Sequence, residues 1–490
     1  MKQLPASFLF HDYETWGISP QYDYPCQFAA IRTDQNLEPI AAPINITATI
    51  HLDYLPHPQA VLVTGITPQM TITNGQNEYE FMRQVHHAMM QPNTCVVGYN
   101  SIKFDDEVSR YSFYRNFIDP YQREYHRGNS RWDLINLVRA CYALRPEGIK
   151  WPLGDNGLVS FKLEKLTQEN DISHTHAHDA LSDVYATIAM AKLILQHQPK
   201  LFEYAYQLRC KQAVVRLLEQ HQQLPLIYIN PYRSAKYGCI SIILPMCPHP
   251  SNKNATICIE LTKDIRPLLN ETPETLKRIQ YLSKDQRNED TPEVAMIIIK
   301  HNQCPFLAPM KTLSPNRATD LNIDLNEIDQ RLACLTQICQ DYNAYQNLIM
   351  TLTELNTPPA HTDTHDLDAE VSLYSGGFMS EGEKQFCQRI HMTPPEELAD
   401  LKEHVPSQRM AALLQLFIGR NYAHLLTQEA HSDWLKHCYN RLTQSEKRLT
   451  LTHYMAIIEE LKCTGTLNSD QLQLLDELTQ YGNNHPINTL

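Results

Sequence analysis

Long apolar runs are missing from these 490 residues. Ile240 to Met246 is among the longest and falls far short of a bilayer's thickness. No membrane span is expected, and the opening Met1 to Phe10, with one Lys and a short apolar piece, lacks the pattern of a secretory signal. The expected location is the cytoplasm. Paired cysteines are missing too: the thirteen Cys are odd in number, scattered and without a C-x-x-C pair. That argues against both a disulfide framework and structural zinc, and the expectation is reduced core thiols. Positive charge is in deficit, with 42 Lys and Arg against 55 Asp and Glu and a net charge of −13. A protein that coats nucleic acid indiscriminately needs clustered cations for counterion release, so any polyanion must be met by a local patch. Internal repeats and low-complexity segments are absent.

What is present describes an ordinary soluble globular chain: 42% hydrophobic residues, 15 Gly and 30 Pro, at a length that suits roughly two to four domains. The most informative stretch is Phe8-Leu9-Phe10-His11-Asp12-Tyr13-Glu14-Thr15, an apolar run ending in two acids one residue apart. Strand side chains alternate, so Asp12 and Glu14 emerge on one face and Tyr13 on the other. Two carboxylates in one small volume repel and raise each other's pKa unless a cation lies between them. A metal site at the end of a first strand is the expectation.

Further strands are expected at 27–31, 44–50 and 94–98. A short strand is also read at Val61 to Thr64, before Gly65 and a Thr67-Pro68 pair suited to a helix start, and a helix then runs from Phe81 to Met90. Lys103-Phe104-Asp105-Asp106-Glu107-Val108 opens another helix with three acids, an arrangement that also suits the positive end of a helix dipole. Between Val108 and Arg145 the chain turns basic, with seven arginines against three acids, a local excess of four. Tyr111, Phe113, Tyr114, Phe117, Tyr121, Tyr125 and Trp132 lie among them. Guanidinium groups hold phosphates and aromatic faces stack bases, the pairing of a groove for single-stranded nucleic acid. Phe113 and Phe117 are expected in the core, Tyr121 and Tyr125 in a loop.

His174-Thr175-His176-Ala177-His178-Asp179 leads into a helix marked by Leu181, Val184, Ile188 and Leu195 and ending before Pro199. Asp183 lies in that helix, near the small Ala180 and Thr187, and His178 precedes it where a general base can reach a water. Alternating histidines also suit zinc, but no Cys or further His stands at ligand spacing. Next comes a helical piece at 202–221, strands at 226–229, 239–244, 255–261 and 294–300, and a longer helix at 328–355, the pattern of a small β-barrel or sandwich with helices. The polar, Pro-rich Thr357 to Asp363 is the best linker, and the remainder is helical, with a capping box at Ser380 to Glu383 and packed faces at Leu413, Leu414, Phe417 and Leu425.

Four acids from three separate elements, with one histidine, suit phosphodiester hydrolysis. Mg²⁺ is a hard ion held by carboxylates, waters and substrate phosphate. Two such ions roughly 3.5–4 Å apart clamp the attacking and leaving oxygens of an in-line displacement. A histidine with an unperturbed pKa of about 6.5 can take the water's proton.

The motifs "HDYET", "GYNSIKFDDEV" and "HDALSDVYAT" resemble the DEDD-type 3′-end exonucleases of the histidine subclass. With "SRWDLINLVRACYALRPEGI" and the three-part layout, the chain resembles bacterial exonuclease I along nearly its whole length. That resemblance implies a ribonuclease H-like α/β exonuclease domain over 1–198, an SH3-like β-barrel domain with helices over 199–355, a linker at 356–366 and an all-α domain over 367–490. The second and third domains would arch over the first to enclose the strand. It implies Asp12, Glu14, Asp105 and Asp183 as the acidic quartet for two Mg²⁺ ions, with Mn²⁺ a substitute, and His178 as general base. The wider class often has Thr where this chain has Tyr13, which should not disturb the ions if it faces away.

The implied activity is processive release of 5′-mononucleotides from the 3′ end of single-stranded DNA, in DNA repair or recombination. Substrate contacts would come from Glu14, Arg110, Tyr121, Tyr125, Arg139, Phe161 and Lys162. The implied partner is the acidic C-terminal tail of single-stranded DNA-binding protein, at Arg145 and Tyr204, and the protein is expected to act as a monomer. A 3′ exoribonuclease of the same subclass and a non-catalytic single-strand-binding adaptor remain alternatives on the motifs alone, since RNA and DNA differ at a 2′-hydroxyl that the motifs do not read.

Overall fold

Strand β1 (Ser7–Thr15) is buried along nearly its whole length, with Asp12 the half-buried exception. It belongs to a computed structural model that describes residues 6–174, 179–288, 291–358 and 368–489. In chain order the first elements after β1 are β2 (Pro25–Thr33), β3 (Ile44–Thr47), α1 (Pro58–Thr64), α2 (Pro68–Asn74), α3 (Glu78–Met89), β4 (Thr94–Gly98), α4 (Asp105–Arg115) and β5 (Ser130–Asp133). They are followed by α5 (Leu134–Leu144), α6 (Leu163–Glu169) and α7 (Ala180–His197). The sheet has the order β3-β2-β1-β4-β5. β1 pairs antiparallel with β2 and parallel with β4, and β2 pairs antiparallel with β3. A strand flanked on both sides reads as a continuous apolar run, which is how Phe8, Leu9 and Phe10 appear in the sequence.

The contacts divide the chain into two units: 3–131 with 174–188 and 363–490, and 1–2 with 132–173 and 189–362. In the first unit, Leu9, Tyr13, Phe28, Phe81, Val85, Val96 and Phe113 form one core between sheet and helices. Two further cores join the first strands and helices to the C-terminal helices: Trp16, Tyr24 and Val61 pack with Trp434, Tyr454 and Leu478, and Tyr79, Tyr114 and Phe117 pack with Phe386, Leu413 and Phe417. The C-terminal helices are Glu381–Met392, Gln408–Asn421, Gln428–Gln444, Leu451–Cys463 and Ser469–Asn483, with no strand among the described residues after 368. Ser380 and Glu383 form the expected capping box. Leu425 departs from the expected packed face: it is 39% exposed, in a short 3-10 turn.

In the second unit, α8 (Pro199–Leu208) and α9 (Lys211–Gln220) precede β6 (Leu226–Ile229), β7 (Ile240–Pro248), β8 (Ala255–Glu260), β9 (Met296–Lys300) and β10 (Leu307–Pro309). These strands make a five-stranded antiparallel sheet of order β10-β6-β7-β8-β9.

Three expectations are corrected here. Residues Val61 to Thr64 are helical, because Pro58 at the first helical position and Gly65, at φ 70°, bracket a short helix around their β-branched side chains. The helix expected over 328–355 is two, Leu325–Gln340 and Tyr342–Leu355, since Asp341 ends one and caps the next through its side chain on the Ala344 amide. The piece at 202–221 is likewise two helices, α8 and α9. None of the thirteen cysteines forms a disulfide; eight are buried, and Cys334 and Cys463 are exposed. Among the described residues no helix is long and apolar enough to cross a membrane. Of the expected linker, residues 359–366 lie outside the described residues.

Candidate active site

Asp12 and Glu14 leave β1 on one face, as the alternation requires, and Asp183 comes to them from the first turn of α7. One carboxylate oxygen from each of the three lies within 4.8 Å of the others. Burial is the first cause that lifts Asp12 far above the ordinary carboxylate range, followed by the charges of Asp105, Glu14, Asp183 and Asp179. Glu14 is pushed up to about 8 by burial and then by Asp183, Asp105 and Asp179. Charge gathered in this way is costly without a cation. The donor set is all carboxylate oxygen, which fits a hard divalent ion such as Mg²⁺ better than a thiolate- or imidazole-seeking one.

Asp105 is the first residue of α4 and 5% exposed. It is outside the trio bounded by 4.8 Å, yet it is the first of the charges acting on Asp12. Its neighbour Asp106 turns elsewhere, to the buried Arg123, at 2.5 Å, and to Arg131. Burial would lift Asp106, but the two guanidinium groups outweigh it and hold the carboxyl well below its usual range.

α7 is fixed at its start by residues that sequence reasoning left without a role. Asp179 caps it, accepting from the Ser182 amide at 3.1 Å, and its other oxygen accepts from Gln27 Nε2 at 3.3 Å. Gln27 is the register partner of Glu14, so this bond ties the start of the helix to the strand pair carrying the acids. A carboxylate just ahead of an apolar-periodic run is a cap signal, and that is how Asp179 could have been found. His174 Nε2 meets Asp183 Oδ1 at 2.5 Å, so one of the alternating histidines addresses an acid of the cluster. His178 and His176 lie outside the described residues.

Of the expected substrate contacts, Arg110, Tyr121 and Tyr125 share the unit of the acids. Arg110 is 8% exposed and heavily engaged, with Glu124 at 2.9 and 3.1 Å, Glu107 at 2.6 Å and the Tyr374 hydroxyl at 3.0 Å. It also stands 5.4 Å above the Tyr121 ring. Tyr121 is half-buried, whereas Tyr125 is 64% exposed. Arg139, Phe161 and Lys162 belong to the other unit, where Arg139 stands 5.9 Å from the Phe161 ring and donates to Asn136. Lys162 is exposed and pairs loosely with Glu164 at 3.5 Å. Arg145 and Tyr204 are in that second unit as well. Arg145 is exposed and donates to Thr312 O at 3.1 Å, and the half-buried Tyr204 hydroxyl donates to Leu307 O at 2.8 Å, with burial pushing its phenol up to about 12.

Comparison with known proteins covers all three parts of the chain. Residues 9–191 match the Exonuclease family, 209–349 the Exonuclease I SH3-like domain and 367–485 the Exonuclease I C-terminal domain. The exodeoxyribonuclease I of Haemophilus influenzae is 39% identical over 97% of this chain and 98% of its own length. The crystal structure of Escherichia coli exonuclease I with a dA16 oligonucleotide superposes with a TM-score of 0.91 at 38% identity, covering 98% of this chain and all of that one. A structure of SSB/Exonuclease I with the inhibitor CFAM gives 0.87 at 37% identity and the same coverage. The expected architecture, an exonuclease domain followed by an SH3-like and a helical C-terminal domain, is the one these matches describe.

Proposed function

The chain belongs to the exodeoxyribonuclease I family, and from that membership we propose that it hydrolyses single-stranded DNA processively from the 3′ end, releasing 5′-mononucleotides. The single observation that carries this reading is the approach of Asp12, Glu14 and Asp183 to within 4.8 Å, close enough that their like charges repel. Asp12, Glu14, Asp105 and Asp183 would hold two Mg²⁺, or Mn²⁺ in its place. When bound, such ions stabilise charge on the attacking and leaving oxygens of an in-line phosphoryl displacement.

The chain's own groups do the rest. His178 takes the proton of the attacking water, a role that an imidazole titrating near neutrality can fill. Asp179, through its cap and its bond to Gln27, keeps Asp183 facing the β1 acids. Arg110, Tyr121, Tyr125, Arg139, Phe161 and Lys162 would supply cations for phosphates and rings for bases, the combination that single strands require. The acidic tail of single-stranded DNA-binding protein would engage Arg145 and Tyr204. DNA repair and recombination are the processes such an activity serves.

The test is digestion of a labelled single-stranded oligonucleotide by the full chain. Mononucleotide release should require Mg²⁺ and stop with EDTA. Asp183→Ala should abolish cleavage and leave strand binding within about two-fold, because that carboxylate serves the ions while the cations and rings serve the strand. Metal-independent release, or equal loss of cleavage and binding, would overturn the assignment.

A further inference from the structure

We propose that Tyr13 is a positioning residue for Asp105: its phenol fastens α4 to β1 and sets the reach of the helix's first carboxylate. The inference rests on reading Asp105 as an ion ligand. Tyr13 stands between Asp12 and Glu14 but points to the other face of the sheet, where it is 4% exposed. Its hydroxyl is 3.0 Å from Ser109 Oγ, and Ser109 is fully buried. Ser109 follows Asp105 by four residues, so the two side chains share a face of α4.

The Phe104 cap position, at φ −124° and ψ −74°, gives the start of α4 no side-chain cap hydrogen bond, so the Tyr13 bond adds to the Asp106 amide's bond to Ser101 O at 3.0 Å and to the Asp106 ion pairs. The Tyr13 ring cannot swing freely. It lies 4.9 Å from Phe28, its register partner on β2, and meets His11 edge-on at 6.0 Å. A rigid ring ending in a hydroxyl bond is therefore a strut of fixed length from the strand that carries two acids to the helix that begins with a third. A Thr at this position, with its short side chain, could not span the same gap. Because both hydroxyls are buried, removing either one leaves the other without its partner.

The experiment is calorimetric titration of the full chain with Mn²⁺ in the absence of nucleic acid. It compares the natural protein with Tyr13→Phe, Ser109→Ala, the double variant and Asp105→Ala, with melting temperatures recorded alongside. Tyr13→Phe and Ser109→Ala should each weaken Mn²⁺ binding by about five-fold, and the double variant no further, since each removes the same bond. KM for an oligonucleotide should stay unchanged at saturating Mn²⁺. A Tyr13→Phe protein that melts earlier yet binds Mn²⁺ normally, while Asp105→Ala binds it weakly, would make the bond merely structural and overturn the proposal. Normal Mn²⁺ binding by Asp105→Ala would overturn the ligand reading and the proposal with it.

Discussion

Glu14 is buried, faces Asp183 and Asp105, and is pushed up to about 8, so its ionisation works against the metal-free fold. Removing that charge should stabilise the empty protein and cost it the ion. At pH 9, above that value, Glu14→Gln in EDTA should melt at least about 2 °C higher than the natural protein, and the rise in melting temperature that Mn²⁺ gives the natural protein should largely vanish. An equal Mn²⁺ increment in both proteins would remove Glu14 from the site. The pair Asp12 and Glu14 was legible because strand alternation has a period of two. Asp105 on its own reads as one of three acids complementing a helix dipole, and Asp183 as an acid beside small neighbours in a helix; only the motif resemblance groups them with Asp12 and Glu14. The role of Asp179 and the contact from His174 were not legible, because both are defined by partners brought together only by the fold.

Helices α3 and α4 are joined by a buried ion pair. Glu78, the first residue of α3, meets Arg115 at 3.2 Å and His51 at 3.1 Å. Burial would lift its carboxyl, but Arg115 and then the His51 hydrogen bond and charge hold it down to about 2. A depressed native pKa gives stability that is present above the ordinary value of 4.5 and lost as pH falls through the window toward 2. Glu78→Gln should cost about 3–5 kcal/mol at pH 7 by leaving Arg115 without its charge. Urea midpoints taken across that acid window should fall less steeply for the variant, and parallel slopes would contradict the assignment. At this scale the sequence reads well where period and caps agree, as at β6 and the Ser380 box. It misleads at Val61 to Thr64, where three β-branched residues sit in a helix held by Pro58 and Gly65. It is silent on β10, whose three residues are too few to show a period.

Across the whole molecule, local pattern shows three successive parts, but which of them share a core is a long-range matter. Trp16 with Trp434 and Tyr79 with Phe417 join ends of the chain that no short window compares. The join is also electrostatic. Asp53 takes Arg420 at 2.7 Å and Arg441 at 3.3 Å, and the Tyr24 hydroxyl donates at 2.9 Å to Glu370, a carboxylate that Arg420, Arg441 and Arg448 hold from within the C-terminal part, all nearly excluded from water. If a protease site placed at 363 is cut, the two fragments should still co-elute on size exclusion, and Asp53→Ala should weaken their association by taking from Arg420 and Arg441 the carboxylate that reaches them from the other fragment. Separation in the natural protein would contradict the shared cores. The most direct test of the central claim is anomalous diffraction from a crystal of the full chain soaked with Mn²⁺ and a short oligonucleotide. Two peaks should lie within coordination distance of Asp12, Glu14, Asp105 and Asp183. Manganese bound elsewhere, with those four carboxylates bare, would contradict it.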